Sequence, residues 1–183
     1  MNSQKEIEVR VIVNDVEPLK ELLTNKFGEP IPYAFTDHIY SPASIEYTPT
    51  GESVFLLREW HYGGKDKFQL KFALKEYKEG IKSQKFGFKL PIESLETGKE
   101  IMKSLGMNFI FSFRRDSLQY SDVKNNVEYF LENVQHLGWN LEIEANENHK
   151  EIISEIENEL KITFEYMKLT TSTIVYKKVK ESI

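Results

Sequence analysis

The stretch EIEVRVIV, Glu6 to Val13, decides how this chain is read. Ile7, Val9, Val11 and Val13 are apolar, and Glu6, Glu8 and Arg10 alternate with them. A period of two over eight residues is the pattern of a β-strand with one apolar face. The other face opens with two carboxylates and a guanidinium in line. Either that face is solvated, as one side of an antiparallel sheet commonly is, or it looks into an interior that holds something charged.

The same alternation returns further along. SIEYTPTGESVFLLREW (Ser44 to Trp60) reads as two strands around a Pro-Thr-Gly-Glu turn and contributes Arg58. FQLKFALKEY (Phe68 to Tyr77) places Lys71 and Lys75 four residues apart, on one strand face. KFGFKLPI (Lys85 to Ile92) brings Lys85 and Lys89. MNFIFSFRRDSLQYS (Met107 to Ser121) carries Arg114 and Arg115, which point opposite ways in a regular strand. NVEYFLENV and GWNLEIEA (Asn126 to Ala145) read as a hairpin turning near His136 to Gly138, with a second pair of carboxylates spaced by two, Glu142 and Glu144.

Helical spacing is confined to a few segments. Asp15 is a candidate N-cap and Pro18 falls in the first turn of a helix whose stripe is Leu19, Leu22, Leu23 and Phe27, with Gly28 at its end. A second helix is predicted from Ser94 to Leu105, and another from Asn148 to Leu160 with the stripe Ile152, Ile153, Ile156 and Leu160. PIPYAFTDHIYSP (Pro30 to Pro42) is extended, and the tail from Lys168 is β-branched and then basic. Roughly eight strands, two or three helices and mostly hairpin links predict an α+β protein with a large antiparallel sheet or barrel.

The bulk numbers fit one domain over 1–183. The 183 residues are 40% hydrophobic and 29% charged, enough for a packed core. A net charge of −5 argues against a nucleic-acid partner, which needs a basic surplus. With no cysteine, thiolate metal sites are excluded, and hard-cation sites built from carboxylates stay open. The first residues show no apolar stretch of signal type, and no segment is long enough for a membrane partner, so the expected location is cytoplasmic.

A closed sheet has an inside, and that inside is polar when it encloses a polar ligand. Basic residues converging from several strands would take an oxygen-rich anion, and two Glu-x-Glu pairs would hold a hard cation such as Mg²⁺ or Mn²⁺. Both together suit a metal–polyphosphate complex.

The residues also carry a resemblance. The N-terminal Glu-x-Glu-x-Arg strand resembles the signature of the CYTH superfamily, the triphosphate tunnel metalloenzymes, and ENVQHLGWNLEIE (Glu132 to Glu144) resembles that family's late hairpin. Between them TDHIYSP, LLRE, FQLKF and FRRD resemble its second, third, fourth and sixth strands in order. The resemblance implies a closed eight-stranded antiparallel β tunnel with helices packed outside, and a small-molecule triphosphate inside it: tripolyphosphate, thiamine triphosphate or ATP. By position, Glu6, Glu8, Glu142 and Glu144 match the metal-binding carboxylates. Arg10, Arg58, Lys71 and Arg115 match the triphosphate-binding cations, with Lys85 in the fifth strand and Arg114 the alternative to Arg115 if the strand bulges. Lys75 or Tyr40 would be the general base, and the protein a monomer or homodimer.

Several positions depart from the family. Ile39 stands where a tyrosine is usual, Leu56 where a first arginine is usual, and Phe113 at a position often held by lysine. Glu132 replaces an aspartate, and Ser172-Thr173 stands in place of Ser-Tyr. The metal side is better kept than the phosphate side. Hydrolysis of a triphosphate is the leading expectation, ahead of adenylate cyclisation, for which no base-and-ribose pocket is marked. A binding protein with a partly degraded site is the alternative from another class. The four histidines lack metal spacing, with His38 a minor site candidate; Gly63-Gly64 reads as a turn, and Trp60 and Trp139 as packing aromatics or base-stacking residues at a tunnel mouth.

Overall fold

The computed structural model describes residues 7–43, 53–78, 81–145 and 148–181. Along the chain run β1 (Ile7–Ile12), α1 (Val16–Phe27), β2 (Ile31–Pro42), β3 (Ser53–Tyr62), β4 (Phe68–Lys78), β5 (Ile81–Pro91), α2 (Leu95–Ser104), β6 (Met107–Asp122), β7 (Val127–Val134), β8 (Gly138–Ala145), α3 (His149–Leu160), β9 (Glu165–Tyr166) and α4 (Thr171–Glu181). All pairings are antiparallel, in the order β5-β4-β3-β2-β6-β7-β8-β1-β9.

Among the described residues the sheet therefore has nine strands rather than the eight expected, and its hydrogen bonding does not confirm a closed barrel. The second edge of β1 is divided. Ile7 and Glu8 align with Ser83 and Lys82 of β5, while Val11 and Ile12 align with Tyr166 and Glu165 of β9. Among the described residues two aligned pairs join β1 to β5, and the two-residue β9 lies along Val11 and Ile12 of the same edge.

Alternation in β1 separates two environments. Val9, Val11 and the following Val13 pack outward with Leu131 of β7, Leu141 and Ile143 of β8, Leu19 and Leu23 of α1, and Ile153 and Ile156 of α3. This is the main core, and it lies between sheet and helices. On the opposite half of the sheet, Tyr40, Leu57 and Leu70 pack under Met102 of α2. Local chemistry fixes these helices. The Ser94 hydroxyl accepts from the Thr97 N–H at 3.1 Å to start α2. Gly28, at φ 86°, ends α1 and donates its N–H to the Thr24 carbonyl.

The β-branched tail forms a fourth helix. Thr170 accepts the Thr173 N–H at 3.1 Å, a cap that starts α4. Val175 then buries against Ile39, Leu56, Phe111, Phe113 and Val134. Tertiary burial outweighs the modest helix propensity of threonine and valine. No helix among the described residues is long and apolar enough to cross a membrane.

Candidate active site

The inward faces of β1 to β8 and the start of α4 line one cavity of about 630 Å³. Odd residues of β2 face it (Tyr33, Phe35, Asp37, Ile39), as do even residues of β1 (Glu8, Arg10) and β8 (Glu142, Glu144). Among the described residues its carboxylates are Glu8, Asp37, Glu132, Glu142 and Glu144, and its cations Arg10, Arg58, Lys71, Lys89 and Arg115.

The first half of the site sits on β1 and β8. Register places Glu8 opposite Glu144 and Arg10 opposite Glu142. One carboxylate oxygen from each of Glu8, Glu142 and Glu144 lies within 4.8 Å of the others. Arg10, only 7% exposed, donates Nη2 to Glu142 and Nη1 to the Thr171 hydroxyl, and its Nη2 is 3.7 Å from Glu8 Oε2. Among the described residues, three carboxylates thus gather beside this one guanidinium. Hard oxygen donors so close together fit a hard cation.

The second half sits on β2, β3, β6 and β7. Asp37, 1% exposed, accepts from Arg58 Nε at 2.7 Å and Nη2 at 2.8 Å in a two-pronged pair. Arg115 Nη1 donates to Glu132 at 2.9 and 3.2 Å, and its Nη2 lies 3.8 Å from Asp37. Burial alone would raise the Asp37 pKa, but Arg58, helped by Arg115 and Lys71, outweighs it and holds the carboxyl below its ordinary value. The Tyr33 hydroxyl, 3.4 Å from Glu132, is shifted upward, first by burial and then by that carboxylate. Nε of buried Arg115 has no hydrogen-bond partner among the described residues. Lys71 and Lys89 sit directly opposite each other on β4 and β5, both on the cavity.

The structure thus brings Glu8, Arg10, Arg58, Lys71, Arg115, Glu142 and Glu144 to one cavity. Glu6 and the side chains of Lys75 and Lys85 lie outside the described residues. Two of the expected residues do not line the cavity. Tyr40 follows Ile39 on β2, so it faces away from the cavity and packs with Leu57, Leu70 and Met102. Arg114 also faces out: exposed, it pairs with Asp116 at 2.7 Å, while the β2–β6 register sets Arg115 opposite Phe35. His38 likewise leaves the cavity, 3.8 Å from Glu59. Sequence reasoning did not single out Thr171, which holds Arg10, or the rings of Tyr33, Phe35 and Phe130. The odd-numbered alternation of β2 through Asp37 was a usable signal for Tyr33 and Phe35. Thr171 had none.

No protein-family model matches this sequence, and no curated protein matches it. Solved structures do. The PH1819 protein of Pyrococcus horikoshii OT3 superposes with a TM-score of 0.71 at 20% identity, over 94% of this chain and 99% of that one. HpAC1 from Hippeastrum, assigned as an adenylyl cyclase and described as having a dominant triphosphatase activity, gives 0.72 at 15% identity over 94% and 95%. A Vibrio parahaemolyticus protein assigned as an adenylate cyclase gives 0.63 at 12% identity over 94% and 98%. The chain shares the fold of these proteins, in keeping with the resemblance to the CYTH superfamily.

Proposed function

We propose that this chain is a divalent-metal-dependent triphosphatase that hydrolyses a triphosphate held within the β cavity. One observation carries the reading: carboxylates of β1 and β8 and cations of β1, β3, β4, β5 and β6 line the same cavity. Among the described residues a lining that holds both carboxylates and cations suits neither a bare anion nor a bare cation. It suits a ligand bearing both, with the cation on Glu8, Glu142 and Glu144 and the phosphate oxygens on Arg58, Arg115, Lys71 and Lys89. When bound, Mg²⁺ or Mn²⁺ would supply charge neutralisation on the phosphate oxygens.

The residues divide the remaining work. The Nε–H of buried Arg115, without a hydrogen-bond partner among the described residues, would donate to a phosphate oxygen. In phosphoryl transfer, positioning and charge stabilisation dominate, so guanidinium groups fixed in advance cost little reorganisation at reaction. Asp37 and Glu132 supply that fixing. Arg10, tied to Glu142 and Thr171, orients the carboxylate cluster rather than presenting a lone cation. Lys75 remains the proposed proton acceptor by its position on β4, where the register against β5 shifts between Leu74 and Lys75; Lys75→Met should lower kcat with KM retained.

The test is a panel with Mg²⁺ and Mn²⁺ on tripolyphosphate, thiamine triphosphate and ATP, reading phosphate and cyclic AMP. Metal-dependent phosphate release supports the proposal. Cyclic AMP as the main product of ATP would replace hydrolysis with cyclisation, and binding without turnover would make the chain a binding protein.

A further inference from the structure

The two ends of the cavity are apolar for different reasons. At one end Ile39, Leu56 and Phe113 are covered by the chain's own α4 through Val175. At the other end Tyr33, Phe35, Trp60 and Phe130 line the space. Tyr33 and Phe35 are buried, whereas Trp60 and Phe130 remain partly exposed and offer ring surface. Tyr33 and Phe35 stack nearly parallel, with centroids 5.9 Å apart and planes at 9°. Trp60 stands edge-on to Phe35 at 5.0 Å, and Phe130 edge-on to Tyr33 at 6.3 Å.

This aromatic end adjoins the phosphate-binding half directly. On β2, Phe35 and Asp37 are successive inward positions; on β3, so are Trp60 and Arg58; and the register pairs Phe35 with Trp60 and Asp37 with Arg58. The Arg58 guanidinium lies 3.5 Å from the Phe35 ring centroid, so one residue joins the two halves. The Gly63-Gly64 turn fixes the rings in place. A Cβ at Gly63 would come within 2.4 Å of the Tyr33 Cβ, and one at Gly64 within 2.3 Å of the Trp60 ring. Those clashes explain a glycine pair that sequence alone reads as a mere turn. The cavity volume of about 630 Å³ also falls among pockets that hold drug-sized organic ligands, about 300–1,000 Å³.

We propose that this aromatic end seats the ring of an organic triphosphate, so that ring-bearing triphosphates are bound in preference to inorganic tripolyphosphate, with Trp60 and Phe130 as the specificity-determining residues. The inference rests on the triphosphate site proposed above. Base–aromatic stacking lost on truncation corresponds to about 5- to 150-fold in affinity.

The test is equilibrium binding to the full chain, in Mg²⁺, of hydrolysis-resistant methylene analogues of ATP and of tripolyphosphate. The wild type should bind the ATP analogue at least about 5-fold more tightly. Trp60→Ala and Phe130→Ala should each bring the ratio of the two affinities toward one. A third readout needs neither truncation. The chain has two tryptophans, so Trp139→Phe leaves Trp60 as the sole indole, and its fluorescence should be quenched by the ATP analogue and not by the tripolyphosphate analogue. Equal affinity of the wild type for both analogues, or a ratio unmoved by either truncation, overturns the ring site while leaving the triphosphate site standing. Binding of neither analogue overturns the triphosphate site and the ring site with it.

Discussion

Strands β1 and β8 meet the cavity with clustered carboxylates; strands β2, β3, β6 and β7 meet it with carboxylate–guanidinium pairs. In the first region Glu8, Glu142 and Glu144 crowd together, and Arg10 pairs with Glu8 and Glu142. In the second, Arg58 is matched by Asp37 and Arg115 by Glu132. Both regions are largely withdrawn from water, where uncompensated charge is costly. The contrast is between a cluster of carboxylates drawn from two strands and guanidinium groups held in fixed directions before any ligand arrives.

The largest expected effect breaks the first region. Glu8→Gln should lower metal-dependent turnover by about 10³-fold, the several kcal/mol that cation stabilisation of a phosphoryl oxygen supplies. Retained rates in steady-state assays at saturating Mg²⁺ would contradict the assignment. Next comes the second region. Arg115→Ala should cost about 10²- to 10³-fold in kcat/KM, as loss of a preorganised donor does, and should also lower Tm, because Glu132 is left buried without its cation. In the first region a single carboxylate change should leave Tm nearly intact, since relief of like-charge crowding offsets the lost contacts; thermal melts of the two variants side by side test the contrast.

A smaller effect concerns acid. Asp37 has a lowered folded-state pKa, so its contribution to stability is fully present above its unfolded value, about 3.9, and is lost as pH falls toward the folded value. The wild type should therefore lose Tm steeply below about pH 4, and Asp37→Asn should flatten that slope while lowering Tm at neutral pH. The smallest effects mark the outer face: Arg114→Ala and Tyr40→Phe should leave kcat/KM unchanged, because neither residue lines the cavity. A large fall in either would mean that the register read here is wrong.

How much of this was legible follows the same division. β1, the β7–β8 hairpin and the helices α1, α2 and α3 were readable because alternation, glycine turns and caps are local signals; positive φ at His136 and Gly138 fits the turn expected there. The four site carboxylates stood out through spacing by two, and three of them are seen to share one cavity. Which face a strand turns inward was not local. Tyr40 and Ile39 differ by one position, as do Arg114 and Arg115, and only cross-strand register chooses between them. α4 was hidden because its β-branched sequence becomes helical through burial against Ile39, Phe111 and Phe113. Thr171 reaches Arg10 across most of the chain, a contact that no spacing rule encodes.

The central claim is that carboxylates from the first and last inner strands hold a cation together with the triphosphate. Mn²⁺ binding followed by electron paramagnetic resonance, in wild type and Glu144→Gln, with and without the methylene analogue of tripolyphosphate, tests it most directly. The account predicts that wild type takes up Mn²⁺, that the analogue tightens this uptake, and that Glu144→Gln loses both. Identical Mn²⁺ spectra and affinities for the two proteins, unmoved by the analogue, would contradict it.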